Sequence, residues 1–270
     1  MIRHLAFVLA LLLGSVDARA GEKVDLALVL AVDVSGSIDV EEFLLQRHGY
    51  AAAFRDPRLI AAIVGGRERK IAVTLLEWAG ASAQAQVVPW TLIDGRESAR
   101  ALADVIETAP RRIFGGRSTS ISGAIDASVR LIEAANHDTD RRVIDVSGDG
   151  HNNAGRPAGF ARDEAVLKGI VINGLAILTD DGILDVHYQD HVIGGPGAFV
   201  LGIETFAEFK NAILAKLIRE VADLPKDLAP TPKQLAASPH PIPPPASPRE
   251  GRVGAEHQRG RLLDRMPGQD

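Results

Sequence analysis

The hydrophobic and polar positions of the chain follow two alternating periods. Short, almost unbroken apolar runs are typical of strands buried on both faces. Between them, apolar residues recur every three or four positions, which is the spacing of one helix face. The predicted strands are Asp25–Asp33, Ile71–Trp78, Gln86–Ile93, Arg142–Ser147, Val171–Leu178 and Phe199–Gly202. Six strands alternating with helices predict an α/β fold: a doubly wound, mostly parallel six-stranded sheet with helices on both faces.

Helix-start signals accompany the helical segments. Asp39 and Glu42 form a capping-box pair before the first helix, and Thr205 and Glu208 form another before the last. The segments with helical spacing are 40–54, Arg96–Thr108, 120–135, Gly159–Lys168 and Thr205–Ala222. The connection Ala79–Ala85 is short enough for a hairpin, so the third strand is predicted to be an antiparallel edge.

A polar segment of twenty residues, 179–198, separates the fifth and sixth predicted strands. It carries four Asp, two His and the run Gly-Gly-Pro-Gly at 194–197. Loops of this length inside a compact domain are usually functional or mobile, so the segment is predicted to be such a loop. A second metal site within it is an alternative to a solvated loop. Its candidate donors are Asp185, His187, Asp190 and His191.

The two ends of the chain differ from this alternating centre. Residues 1–20 are typical of a secretory signal peptide, with Arg3 as the positive start, Leu5–Leu13 as the apolar core and Ala-Arg-Ala at 18–20 as the cleavage site. The apolar core is about nine residues long, whereas a membrane span needs about 20. Residues 225–270 hold 10 of the 15 prolines and few large apolar residues, which predicts a disordered tail.

Residues 21–224 remain for a single α/β domain with a complete core. They carry 21 Lys and Arg against 29 Asp and Glu. This acidic balance argues against nucleic acid as a partner and is compatible with cation binding. The chain has no cysteine, which excludes a disulfide framework, a thiolate metal site and a cysteine nucleophile. A secreted chain without cysteine fits a bacterial periplasm at least as well as an animal exterior.

The most informative motif follows the first strand. Asp33, Ser35 and Ser37 place a carboxylate and two hydroxyls at alternate positions. Such oxygens are the ligands that Mg²⁺ or Mn²⁺ prefers, and open α/β sheets place their sites outside the carboxyl ends of the strands. The same residue types also form turns that cap the following helix, so the motif alone leaves both interpretations open.

Two further polar clusters lie where predicted elements meet loops. Residues 115–120 read Gly-Gly-Arg-Ser-Thr-Ser and precede a helix, and residues 147–150 read Ser-Gly-Asp-Gly and end the fourth strand. If the first and fourth strands are neighbours, both clusters approach the Asp33 loop.

The order of these motifs resembles that of the von Willebrand factor type A (VWA) domain. That family has D-x-S-x-S after strand one, a Thr in a Gly-rich loop before a helix, and Asp-Gly after strand four. The resemblance covers residues 24–222, including the antiparallel third strand and the final amphipathic helix. More narrowly, the phrases at 144–150 and 192–197 resemble a secreted bacterial branch of the family that is described as a domain of unknown function.

The resemblance implies a metal-ion-dependent adhesion site (MIDAS) that binds Mg²⁺ or Mn²⁺. It implies hydroxyl ligands from two serines and a threonine, and two aspartates that act directly or through water. The residues it assigns to the ion are Asp33, Ser35, Ser37, Thr119 and Asp149. One coordination position is left for an Asp or Glu of a protein partner. Ser118 is the alternative to Thr119, which is preferred because its distance to the next helix matches the family pattern.

A second resemblance concerns the haloacid-dehalogenase-type phosphatases, which carry a nucleophilic Asp after strand one and a later G-D-G-x-N-D loop. Asp33 and the run 148–153 approach this pattern. These enzymes need a second carboxylate two residues after the nucleophile for proton transfer. Here Ser35 occupies that position and Asn153 replaces the last Asp. A phosphohydrolase with Asp33 as nucleophile is therefore an alternative, and a structural domain with a vestigial metal site is another.

Two carboxylates, Glu77 and Asp145, lie in otherwise apolar strands. Buried carboxylates need partners, so we predict that both bond to backbone amides of the site loops rather than to a metal. Asn152, Asn153 and the 179–198 segment are expected to form the rim of the site. The sequence as a whole predicts a secreted, non-enzymatic binding module in the periplasm of a Gram-negative bacterium, with no catalytic residue.

Overall fold

The computed structural model describes residues 21–114, 117–135, 137–222 and 231–237. In these ranges six strands form one sheet in the order β3-β2-β1-β4-β5-β6. The strands are β1 (Ala27–Asp33), β2 (Ile71–Trp78), β3 (Gln84–Ile93), β4 (Arg142–Gly148), β5 (Ile170–Ile177) and β6 (Val200–Ile203). Neighbouring strands are parallel except β2 and β3, which are antiparallel. The predicted doubly wound sheet with an antiparallel edge is confirmed.

Helices cover both faces of this sheet. In the described part of the chain they are α1 (Val40–Arg55), α2 (Pro57–Val64), α3 (Arg96–Thr108), α4 (Ile121–Ala135), α5 (Ala158–Leu167), α6 (Leu184–His191), α7 (Phe209–Ala222) and α8 (Pro232–Ala237). One hydrophobic core lies between the sheet and α1, α2, α3 and α7. The other lies between the opposite face and α4, α5 and α6. The strands between two cores are buried on both sides, as their apolar runs indicate.

The predicted capping box of α1 is present. Asp39 Oδ1 accepts a hydrogen bond of 2.8 Å from the Glu42 backbone N–H, and Glu42 Oε2 accepts one of 2.9 Å from the Asp39 backbone N–H. Two N–H groups at the helix start are thereby satisfied. This matters for the site because α1 begins directly after the loop that carries Ser35 and Ser37.

Helix α2 is an element that the sequence analysis did not predict. It begins with Pro57 at its first position, where a missing N–H costs nothing, and Asp56 accepts a hydrogen bond of 2.8 Å from the Arg58 backbone N–H. Only Asp56 separates it from α1, whose predicted segment ends at residue 54.

The predicted long loop at 179–198 is wrong, because α6 forms within it. Leu184, Tyr188 and Val192 recur every four residues and are fully buried. They form a narrow apolar stripe against β5 and β6, while the charged residues between them face outward. Three buried residues among many polar ones give a weak periodic signal. The helix is therefore stabilised mainly by its packing against the sheet.

The predicted Thr205/Glu208 capping box is also wrong. Residues Phe206–Glu208 form a 3-10 turn, and α7 begins only at Phe209. The Thr205 side chain makes no capping hydrogen bond, and Glu208 Oε2 instead accepts one of 3.2 Å from the Glu204 backbone N–H. The tighter turn moves the helix start beyond the reach of Thr205.

The predicted signal peptide, residues 1–20, lies outside the described residues, and so do 223–230 and 238–270 of the chain's end. Within the predicted tail, the structure describes the short helix α8. No helix in the described ranges is both long enough and apolar enough to cross a membrane.

Candidate metal centre

The site forms at the carboxyl edge of the sheet, where two neighbouring parallel strands end. β1 ends at Asp33 and β4 ends at Gly148, directly before Asp149. The two strands pair in parallel register, with Val32 opposite Ser147. The first and fourth strands are therefore neighbours, and the Asp33 loop and the Asp149 loop lie side by side.

Side-chain oxygens from three loops meet at this edge. Ser37 Oγ donates a hydrogen bond of 2.9 Å to Asp149 Oδ1, and Ser35 Oγ lies 3.3 Å from Ser37 Oγ. Thr119 Oγ1 lies 3.5 Å from Ser35 Oγ. Asp33 joins the group through its Oδ1, which accepts a hydrogen bond of 2.7 Å from the Ser35 backbone N–H. The structure thus brings together all five residues that the resemblance assigns to the ion.

One oxygen of this group has no partner. Asp33 is fully buried, and its Oδ2 accepts no hydrogen bond from the described residues. A Cβ built on Gly148 would lie 2.9 Å from that oxygen and 2.8 Å from Tyr188 Oη. Glycine at 148 therefore allows the β4 backbone to approach the carboxylate closely. A buried carboxylate oxygen without a donor is costly, and a cation is the group that would satisfy it.

The pKa shifts of Asp33 and Asp149 agree with this. Burial, with a further contribution from the charge of Asp149, raises the pKa of Asp33 to about 7. Burial also raises the pKa of Asp149 above its ordinary value. Two aspartates in one desolvated place destabilise each other's charged forms unless a positive charge lies between them.

Thr119 is held in place by the loop that follows β4. Asn153 Oδ1 accepts a hydrogen bond of 2.8 Å from the Thr119 backbone N–H, and the Thr119 carbonyl accepts one of 2.9 Å from the Asn153 backbone N–H. Asn152 Oδ1 likewise accepts one of 3.0 Å from the Ser122 backbone N–H, at the start of α4. The two asparagines fix the threonine loop, a role that the sequence analysis did not give them.

The hydroxyls of Ser118 and Thr119, the two candidate ligands of this loop, face different surroundings. Ser118 Oγ faces the β2–β3 turn, where a Cβ built on Gly80 would lie 2.5 Å from it. Thr119 Oγ1 faces Ser35, and the Thr119 side chain is buried. The geometry therefore favours Thr119 as the residue that belongs to the site.

The two strand carboxylates have different partners. Glu77 pairs with Arg47 and accepts a hydrogen bond of 2.6 Å from the backbone N–H of Arg112, in the loop that leads to Thr119. This is the structural role predicted for it. Asp145 does not bond to a site-loop amide, so its prediction is wrong: its Oδ1 lies 2.5 Å from Lys216 Nζ of α7. Its position in the middle of β4 points it into the core and away from the loops.

A cleft of about 280 Å³ opens above the site. Its lining includes the predicted residues Ser37, Thr119, Asp149 and Asn153, together with Arg117, Gly150, His151, Asp180 and Asp181. His151 Nε2 lies 2.5 Å from Asp181 Oδ2, so the loop before α6 is tied to the loop after β4. The 179–198 segment contributes Asp180 and Asp181 to the lining, as the sequence predicts for the rim. Arg117 is not predicted from sequence, because the neighbouring Ser118 and Thr119 are the residues with metal-ligand chemistry.

The alternative of a second metal site in this segment is not supported. Among the described residues, no three His, Cys, Asp or Glu side chains are placed to hold a metal ion. His187 packs its ring against those of His151 and His191, with centroids 4.1 and 4.9 Å apart. The site at Asp33 is of a different kind, since three of its five donors are hydroxyls.

Solved structures share this architecture. Proximal thread matrix protein 1 of the mussel byssus matches at a TM-score of 0.57 with 14% identity, over 75% of this chain and 49% of that one. The same protein with a zinc-occupied MIDAS motif matches at 0.52 with 15% identity, over the same shares. The pilus adhesin SpaC of Lactobacillus rhamnosus GG matches at 0.53 with 13% identity, over 75% of this chain and 31% of that one.

These likenesses establish the fold: the described domain has a VWA-type fold. The chain spans about half the length of the mussel protein and less than a third of the adhesin. No curated protein matches it significantly. By sequence, the chain belongs to the family described as "Protein of unknown function (DUF1194)", whose model matches residues 23–225.

Proposed function

We propose that the chain is a secreted VWA-type binding module that coordinates a divalent cation and uses it to hold an acidic residue of a protein partner. The residues that would hold the ion are Asp33, Ser35, Ser37, Thr119 and Asp149. The observation that carries the proposal is the buried Oδ2 of Asp33, which accepts no hydrogen bond from the described residues, at an edge where a second aspartate and three hydroxyls meet.

The chemistry of the donors favours Mg²⁺ or Mn²⁺. All five side chains offer oxygen, which suits hard cations that take six oxygen ligands and keep several waters. The five side chains fill at most five of the six coordination positions, so at least one position remains for an oxygen from outside the chain. We infer that a carboxylate of the partner fills it.

Such a carboxylate would enter the cleft that Ser37, Thr119 and Asp149 line. Ser37 is exposed at the floor of the 280 Å³ cleft, whereas Asp33 and Ser35 are buried beneath it. Asn153 holds the Thr119 loop through its side-chain oxygen, and a loop held by the protein lowers the ordering cost of binding. Arg117 lines the same cleft and offers a guanidinium to the partner's acidic side chain.

The comparisons support this proposal at the level of the fold. A structure of similar fold carries zinc at a MIDAS motif, and another is a pilus adhesin. Together with the signal-peptide pattern of residues 1–20, they support secretion. We propose the periplasm of a Gram-negative bacterium as the location, since a secreted chain without cysteine fits a bacterial periplasm at least as well as an animal exterior.

We favour a non-enzymatic role over phosphohydrolysis. Ser35 stands where the second carboxylate of a phosphatase would stand, and its hydroxyl contacts Ser37 and Thr119. Asn153 uses its side-chain oxygen to hold the Thr119 backbone. Neither the serine hydroxyl nor the asparagine amide titrates near neutral pH, as a general acid or base must. Release of p-nitrophenol from p-nitrophenyl phosphate, abolished by Asp33→Asn, would support the enzyme instead.

Thermal unfolding with and without metal tests the binding module. The chain is unfolded with EDTA, Mg²⁺, Mn²⁺ or Ca²⁺, beside the double variant Asp33→Ala/Ser35→Ala. A ligand at 100 times its dissociation constant stabilises by about 2.7 kcal/mol, so Mg²⁺ or Mn²⁺ should raise the melting temperature of the wild type only. Ser82→Ala, an exposed serine in the β2–β3 turn, is the matched control and should respond like the wild type. A metal response that survives the double variant would place the ion elsewhere.

A further inference from the structure

A second cleft, of about 320 Å³, lies at the amino ends of β4 and β5. We call it the arginine cleft. Its lining includes Arg141, Arg142, Arg219, Phe199, Pro196 and Glu220. Arg142 begins β4 and Gly148 ends it beside Asp33, six strand steps away, or about 20 Å at about 3.3 Å per residue. The arginine cleft is therefore at the opposite edge of the sheet and separate from the metal centre.

Arg219 of α7 is the central cation of the arginine cleft. Its guanidinium carbon lies 3.6 Å from the centroid of the buried Phe199 ring. No acceptor among the described residues takes a hydrogen bond from it. Burial lowers the pKa of Arg219, since the surroundings do not fully compensate its charge. Stacking fixes the plane of the guanidinium and leaves its N–H edge for a ligand.

Two neighbouring arginines are held rigidly at the same cleft. Arg142 Nη2 donates a hydrogen bond of 2.8 Å to the Lys168 carbonyl at the end of α5, while its Nε is buried without a partner among the described residues. Arg141 Nη1 donates one of 3.2 Å to the Val221 carbonyl at the end of α7. Both guanidiniums are thus positioned by helix ends beside the cleft that they line.

The three arginines of the lining outnumber its two acidic residues, Asp140 and Glu220. Glu220 Oε1 lies 2.5 Å from Lys216 Nζ, which also pairs with Asp145, and accepts a hydrogen bond of 2.9 Å from Asn173 Nδ2. Asp140 is exposed at the rim. The arginine cleft is a local positive site on a domain whose overall charge is negative.

The Gly-Gly-Pro-Gly run at 194–197, which the metal centre does not use, builds one wall. Gly194 bridges to Ile172 of β5 through hydrogen bonds of 2.8 and 3.1 Å. Gly195 has φ +94° and Gly197 has φ +74°, both in the left-handed region that favours glycine. A Cβ on Gly195 would lie 3.2 Å from the Val171 backbone. The run therefore lies tightly against β5 and presents Pro196 to the cleft.

We propose that the arginine cleft binds a small oxyanion, the carboxylate or phosphate group of a small ligand, through Arg142 and Arg219. Planar guanidiniums match such groups because two parallel N–H donors reach two oxygens. The cleft volume is at the lower end of the range of small-molecule sites.

Calorimetric titration of the full chain with inorganic phosphate and with succinate tests the proposal. Metal is removed with a chelating resin, since EDTA is itself a polycarboxylate, and the ionic strength is kept low because salt screens the interaction. Saturable binding of one anion per chain is expected, and the tighter of the two identifies phosphate or carboxylate. Arg219→Gln should weaken that binding at least tenfold. Arg100→Gln, an exposed arginine of α3, is the matched control and should bind like the wild type.

Pro196→Asp provides a second variant that leaves Arg219 and Phe199 in place. Pro196 is exposed, so the substitution adds a carboxylate to the wall of the cleft without disturbing the core. It should also weaken anion binding at least tenfold. The proposal is overturned if neither anion binds saturably, or if Arg219→Gln and Pro196→Asp both bind with the affinity of the wild type.

Discussion

Ser37 Oγ donates a hydrogen bond of 2.9 Å to Asp149 Oδ1 and so joins two loops that are 112 residues apart in the chain. The bond exists because β1 and β4 are parallel neighbours that end at the same edge of the sheet. It places a hydroxyl and a carboxylate directly above the buried carboxylate of Asp33. The strand order therefore brings the donors of the candidate metal centre together.

The hydroxyl that belongs to the site can be identified with a matched pair of variants. Thr119 Oγ1 faces Ser35, whereas the adjacent Ser118 Oγ faces the β2–β3 turn. Thr119→Ala should lower the affinity for Mn²⁺ by about tenfold or more, the scale on which metal-site groups act. Ser118→Ala should leave it within about twofold of the wild type. Isothermal titration with Mn²⁺ checks both, and the reverse order of effects would assign the ligand to Ser118.

Gly148 is predicted to be essential to the close approach of β4 to Asp33. In Gly148→Ala the new Cβ would lie 2.9 Å from Asp33 Oδ2 and 2.8 Å from Tyr188 Oη, so side chains or backbone must shift. Overpacking of this kind costs about 1–3 kcal/mol of unfolding free energy, measured by urea denaturation. Mn²⁺ affinity should fall with it.

Gly182→Ala is the control for that variant, since no atom lies within 4 Å of a Cβ built there. It should change the unfolding free energy by less than about 0.5 kcal/mol. Equal stability of the two alanine variants would mean that β4 tolerates a side chain at 148.

The buried Asp145 predicts a pH dependence of stability. Burial raises the pKa of Asp145 in the folded protein, with a further contribution from Glu220, while Lys216 opposes the rise. Between its ordinary pKa of about 3.9 and the raised value, the folded state holds a proton that the unfolded state has released. The stabilisation that this proton provides is complete at low pH and is lost as pH rises through the raised pKa.

Asp145→Asn removes that titration and keeps the shape of the protonated side chain. The wild type should therefore lose unfolding free energy relative to the variant as pH rises from about 4 to 8. Each unit of raised pKa corresponds to about 1.4 kcal/mol. Urea denaturation at several pH values measures the difference, in which the effects of Asp33 and the histidines cancel. A difference that does not vary with pH would show that Asp145 is ionised throughout.

Much of the fold can be predicted from the sequence because strands between two helical layers are continuously apolar. β2 and α3 begin and end where their patterns do. Helix α6 could not be predicted in this way, since only Leu184 and Tyr188 of its eight residues are buried. That burial depends on contacts with β5 and β6, which local periodicity does not reveal.

Part of the candidate site can likewise be predicted from the sequence, and part follows only from the fold. Asp33, Ser35 and Ser37 lie within five residues, so their shared chemistry is visible in the sequence. Asn153 bonds to Thr119 across 34 residues, and such a pairing follows only from the fold. The sequence predicts that Asp145 bonds to a site-loop amide, but Asp145 pairs with Lys216, because nothing in its strand indicates the cation on α7.

The number of Mn²⁺ ions bound per chain, measured by electron paramagnetic resonance titration of free Mn²⁺, tests the central claim most directly. The account predicts one tightly bound ion in the wild type and in Ser82→Ala. It predicts none in Asp33→Ala/Ser35→Ala, provided that the circular dichroism of that variant matches the wild type. No bound ion in the wild type, or one bound ion in the folded double variant, would contradict a metal centre built on Asp33 and Ser35.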